Sequence, residues 1–150
     1  MTNAVLAFNQ NAASRKMNTS ALQILSAQRD GYSAAAHILR DRGLVAFPTE
    51  TVYGLGGDAR SDASVARIYD AKGRPDFNPL IVHFADLETL KRHVIWTETA
   101  ERLAQAFWPG PMTLVLHKKS DSDLSRLVTA GLDTLAVRLP AHRTARALLR

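Results

Sequence analysis

Four short apolar runs, Leu44–Phe47, Leu80–Phe84, Met112–Leu116 and Leu135–Leu139, are each separated from the next by helical periodicity, and this alternation most limits what the chain can fold into. Runs of this length bounded by proline, glycine or polar turns read as buried strands. Between them, Tyr32, Ala35, Ala36 and Leu39 share one helical face, and Gly43 is expected to end that helix. Ser61 is placed to cap a helix carrying Val65, Ile68, Tyr69 and Lys72, which Gly73 and Pro75 stop. Asp86 and Thr97 can cap two further helices, the second broken at Pro109. A short helix is expected from Ser122 to Ala130, and a last one from about Ala141, carrying Ala145, Leu148 and Leu149. Strands alternating with helices predict an α/β domain, its sheet covered by helices.

Composition narrows the class. At 150 residues, 46% hydrophobic and 22% charged, the chain fits one domain able to bury a core. Cysteine is absent, which excludes disulfides and thiolate metal sites. No apolar run approaches the ~20 residues of a membrane span, and the amino-terminal apolar stretch is too short for a signal peptide, so a cytoplasmic enzyme with no membrane partner is the expectation. Residues 1–16 are polar and aperiodic and read as a tail, partly disordered, within residues 1–30; the folded domain is expected over 31–150. Met17 offers an alternative start. The net charge of +5 permits polyanion binding, or only a mildly basic surface, because no basic cluster is dense enough to decide.

The polar residues concentrate between Phe47 and Phe84. Gly54, Gly56 and Gly57 allow close backbone approach but lack the spacing of a dinucleotide fingerprint or a P-loop; a tight turn is the better account of them. Lys72 ends a helix, where a cation is favourable in itself, and Arg74 follows with a planar fork suited to phosphate oxygens. Pro75 and Pro79 stiffen the loop that carries this pair and Asn78, whose amide can donate to a phosphate or a base. His83 alternates with Val82 and Phe84 in a strand, and a structural role serves it as well as a functional one. Arg138 shares a strand face with Ala136, which suggests either a pocket floor where it pairs with a carboxylate or a charge on an edge strand. Thr113 follows the rigid Pro109-Gly-Pro111 turn and can serve a phosphate or cap that turn. No catalytic triad or metal cage is legible, so positioning and charge neutralisation are the expected chemistry.

Taken together, Phe47-Pro-Thr-Glu-Thr-Val-Tyr-Gly-Leu-Gly56, Lys72-Gly-Arg-Pro75, Asn78-Pro-Leu-Ile-Val-His83, Pro109-Gly-Pro-Met-Thr113 and Val137-Arg-Leu-Pro-Ala-His142 resemble the YrdC/Sua5 family of threonylcarbamoyl-AMP synthases. The resemblance runs from about Ser33 to Arg150 and implies a twisted mixed sheet flanked by helices around a basic concave cavity. It implies that L-threonine, bicarbonate and ATP, the last with Mg²⁺, give threonylcarbamoyl-adenylate and pyrophosphate. Partner proteins then transfer the threonylcarbamoyl group to the N6 of adenosine 37 in tRNA. By the same resemblance Thr51, His83 and Arg138 match threonine contacts, and Lys72, Arg74, Asn78 and Thr113 match ATP contacts. The family continues past the last helix with a strand and a Ser-x-Asn motif, so a chain ending at Arg150 is expected to be truncated, weakly stable and of little activity. Two other readings compete. One is a module binding double-stranded RNA or tRNA without synthase activity. The other is the related carbamoyltransferase domain of hydrogenase maturation, whose zinc-finger regions this cysteine-free chain lacks.

Overall fold

A computed structural model describes residues 4–8, 22–73 and 78–150. In order these form β1 (Ala4–Phe8), β2 (Leu22–Ser26), α1 (Arg29–Arg40), β3 (Leu44–Pro48), β4 (Tyr53–Gly56), α2 (Asp62–Lys72), β5 (Ile81–His83), α3 (Leu87–Lys91), α4 (Glu98–Phe107), β6 (Leu114–His117), a 3₁₀ turn (Arg126–Thr129), β7 (Thr134–Arg138) and α5 (Arg143–Leu149). The class is α/β, as the alternation predicts. The strands, however, divide into two ladders where one mixed sheet is expected. An antiparallel sheet runs β2-β1-β3-β4, and a mixed sheet runs β5-β7-β6 with β5 parallel to β7. Two strands come from residues read as tail: β1 lies between β2 and β3, pairing Val5 with Leu25 and Ala7 with Val45. Short strands carry too little periodicity to show in sequence; β1 is made by pairing to β3, and β2 by pairing to β1.

The expected caps form. Ser61 accepts from the Ser64 N–H at 3.3 Å, Asp86 from Thr89 at 2.7 Å and Thr97 from Ala100 at 3.1 Å. Gly73 takes the left-handed conformation that closes α2 (φ 55°). After α1 the positive φ falls on Arg42 (62°) and not on Gly43, whose N–H instead returns to the Ile38 carbonyl at 2.7 Å. The helix expected from Ser122 to Ala130 shrinks to the 3₁₀ turn Arg126–Thr129, opened by the Ser125 hydroxyl accepting from the Leu127 N–H at 3.1 Å and closed by Ala130 at positive φ.

Two cores hold the elements. Val65 and Tyr69 of α2, Leu90, Val94 and Ala100 pack against Val82, Leu114, Leu135 and Val137 of the mixed sheet. Ala35 of α1 and Ala145 and Leu148 of α5 pack on Val45 and Phe47 of the antiparallel sheet. Gly31 joins α1 to β2: a Cβ there would overlap the Ser26 carbonyl. Alanine usually gains ~1 kcal/mol over glycine in a helix. At this position Gly31→Ala is expected to cost at least ~2 kcal/mol, because the obstacle is backbone and must move. A chemical denaturation midpoint at or above wild type would contradict this packing.

Candidate functional site

The β3–β4 hairpin builds one wall. Its four-residue connection, Thr49 to Val52, is organised by the Thr49 hydroxyl, which accepts from the N–H groups of Thr51 and Val52 (both 3.2 Å) and donates to the Val52 carbonyl at 2.6 Å. That is a side chain replacing backbone turn bonds. Because the Thr49 proton is committed to Val52, the 3.0 Å contact between the two threonine hydroxyls has Thr51 donating. The oxygen of Thr51 then accepts from Arg138, whose Nη1 and Nη2 lie 3.3 and 3.4 Å away.

The glycines read chiefly as a tight turn lie mainly in strand β4 instead. Gly54 faces Phe47 across the ladder, and a Cβ on Gly56 would stand 2.8 Å from the Phe47 ring. Gly56 leaves room for that aromatic ring, which the tight-turn reading did not foresee.

The second wall is the mixed sheet. In the parallel pair, His83 is in register with Arg138, each the last residue of its strand. Open α/β sheets bind ligands at such carboxyl ends of parallel strands. β7 is the central strand of its sheet, so Arg138 is not an edge charge. It is 6% exposed, donates from Nε to the Gly110 carbonyl at 3.2 Å, and forms an ion pair with Glu50 at 2.8 Å. The Pro109–Pro111 turn, entered through a cis Trp108–Pro109 bond, therefore supports the guanidinium from behind.

Glu50 is the residue that sequence reasoning missed. Its carboxylate also accepts from the Ala141 and His142 N–H groups, both at 3.1 Å, and so ties the hairpin to the start of α5. Burial alone would raise its pKa, but Arg138 and the two backbone donors outweigh burial and lower it to about 2. The available signal was its place between two threonines in a hairpin turn.

His83 donates from Nδ1 to the Ile81 carbonyl at 3.1 Å, which leaves Nε2 as an acceptor. That nitrogen is buried and has no partner among the described residues. Burial, reinforced by the Arg138 charge, lowers the His83 pKa against the opposing pull of the Ile81 carbonyl and Glu50, so the ring is neutral at pH 7. Phe47 meets the ring edge-on, with centroids 6.4 Å apart and planes at 87°.

Between the walls opens a cavity of about 1360 Å³, lined by Thr49, Thr51, Lys72, His83 and Arg138 together with residues of α1, α3 and α5. Seven arginine and lysine side chains line it against four aspartates among the described residues. The structure thus brings together four of the seven sequence-predicted residues. Arg74 lies outside the described residues. Asn78 and Thr113 are half-buried away from the cavity lining; the Asn78 carbonyl accepts from the Tyr69 hydroxyl at 3.0 Å. No cluster of three or more His, Cys, Asp or Glu that could hold a metal occurs among the described residues. No helix among them is long and apolar enough to cross a membrane.

The chain is similar to known proteins. The chain is 53% identical over 118 residues to the threonylcarbamoyl-AMP synthase of Pyrococcus abyssi, covering 77% of this chain and 34% of that protein. It is 50% identical over 127 residues to the threonylcarbamoyl-AMP synthase of Bacillus subtilis, covering 84% and 36%. The crystal structure of P. abyssi Sua5 complexed with L-threonine superposes with a TM-score of 0.77 at 50% identity, over 81% of this chain and 36% of that one. The chain therefore spans about a third of the length of these relatives. The Sua5/YciO/YrdC family model, described as "Telomere recombination", matches residues 37–150. With that match over most of its length, the chain belongs to the Sua5/YciO/YrdC family.

Proposed function

We propose that the chain is the threonine- and ATP-binding part of a threonylcarbamoyl-AMP synthase. The observation that carries the reading is the convergence of Thr51, His83, Arg138 and Lys72 on one cavity with an excess of cationic side chains. The names of the relatives and the L-threonine complex of P. abyssi Sua5 support it. The cavity has room for a nucleotide beside an amino acid.

In this reading Arg138 takes the threonine carboxylate by a charge-assisted hydrogen bond from its free Nη1 N–H. The unpartnered Nε2 of His83 accepts from the substrate amine or hydroxyl, and Thr51, whose oxygen is engaged by Arg138, helps to hold the guanidinium in place. Lys72, at the end of α2, neutralises phosphate charge, and Arg74, two residues on in sequence, is assigned the same role; Asn78 and Thr113, set back from the lining, would reach ATP only after local rearrangement. The amine of threonine combines with bicarbonate to give a carbamate and water. A carbamate oxygen then attacks the α-phosphorus of ATP, and pyrophosphate leaves. The protein contributes by positioning and by stabilising developing negative charge. Mg²⁺ would come on the triphosphate, which suits an ion that keeps its waters and needs only one or two carboxylates, and the residues described offer no fuller cage. tRNA and threonylcarbamoyl-transfer proteins are the downstream partners, and the cytoplasm is the compartment.

Calorimetry is expected to show L-threonine and ATP binding to the chain, with Lys72→Ala weakening ATP binding ~10–100-fold. Salt-sensitive binding of double-stranded RNA, without affinity for threonine or ATP, would replace this reading with that of an RNA-binding module.

A further inference from the structure

We propose that Glu50 is a positioning residue for recognition of the substrate carboxylate: it holds Arg138 from behind so that the free edge of the guanidinium faces the cavity. The inference rests on the threonine-binding reading above.

Three observations carry it. First, Arg138 lines the cavity and Glu50 does not, so an entering anion meets the cation and not the carboxylate behind it. Second, the donors of the guanidinium can be followed one by one. Its Nε–H goes to Gly110, Nη2 serves Glu50 and Thr51, and Nη1 serves Thr51. Of the five N–H groups an arginine has, one on Nη1 is left for a ligand. Third, Glu50 is itself immobilised, because the hairpin positions its backbone while Ala141 and His142 hold its carboxylate. A guanidinium held this firmly loses little rotamer entropy when it binds, which is how preorganisation raises affinity.

A purely architectural Glu50, joining the hairpin to α5, would also stabilise the fold. The two roles separate with ligands. Glu50→Gln keeps the size of the side chain but presents an amide N–H₂ to a region of N–H donors and removes the charge. Binding of L-threonine, ATP and L-threoninamide, which lacks the carboxylate, is measured by calorimetry on wild type and variant. L-threonine affinity is expected to fall at least tenfold, with ATP and L-threoninamide each changed less than twofold. Equal loss for L-threonine and L-threoninamide, or no loss, overturns the proposal while leaving the function standing. A wild type that binds no L-threonine overturns both. Should Glu50→Gln fail to fold, Glu50→Asp withdraws the carboxylate by one methylene, and the same selective loss is expected of it.

Discussion

Arg138→Met is expected to lower the unfolding free energy by about 3 kcal/mol and to abolish L-threonine binding. Methionine fills similar volume, so the loss is electrostatic. Arg138 is 7% and Glu50 19% exposed in their side chains, and removing one partner of such a pair leaves the other charge desolvated. The pH dependence identifies the cause. Glu50 has its pKa lowered from 4.5 to about 2. A depressed carboxylate contributes stability that is complete above its unfolded pKa and is lost as pH falls through the folded one. Wild type should therefore lose on the order of 3 kcal/mol between pH ~4.5 and ~2 from this group. In Arg138→Met the guanidinium no longer holds the folded-state pKa of Glu50 below its unfolded value, so this acid-induced loss should shrink. Glu50→Gln added to Arg138→Met should recover part of the stability, since the stranded charge is gone. Urea denaturation at pH 7 and pH 3 measures all of this. A double variant no more stable than Arg138→Met would show that the pair is not the source of the loss.

Phe47→Ala should cost about 3–5 kcal/mol. Phe47 is 7% exposed and lies in the core with Ala35, Val45, Ala145 and Leu148. Its ring also occupies the space over Gly54 and Gly56, which have no side chains with which to collapse into the cavity left behind. The same ring bounds one side of His83, so the variant should also weaken L-threonine binding. The glycine contact supplies a test of sign. In wild type, Gly56→Ala places a Cβ 2.8 Å from the ring and should destabilise; combined with Phe47→Ala it should be neutral or stabilising. Additive effects of the two substitutions in denaturant titrations would rule this packing out.

Much of the fold is legible along the chain because its signals are local. Ser61, Asp86 and Thr97 each cap a helix through a hydrogen bond spanning three residues, and Gly73 ends α2 through its own φ. The alternate burial of Leu135 and Val137 follows from the pleat of a single strand. The site was partly legible too. Residue chemistry alone marks Lys72, His83 and Arg138 as candidates, and the ordered motifs add Thr51; all four line the cavity.

The sequence by itself determined the α/β class, the helix caps and which polar residues were available. Only the tertiary structure decided that β1 and β2 join the sheet, that Gly56 makes way for an aromatic ring, and that Glu50 pairs with an arginine 88 positions away. The division has a physical cause. Caps and strand periodicity depend on neighbours a few bonds away, whereas an ion pair, a strand edge or the space beside a glycine exists only once distant segments have been packed together.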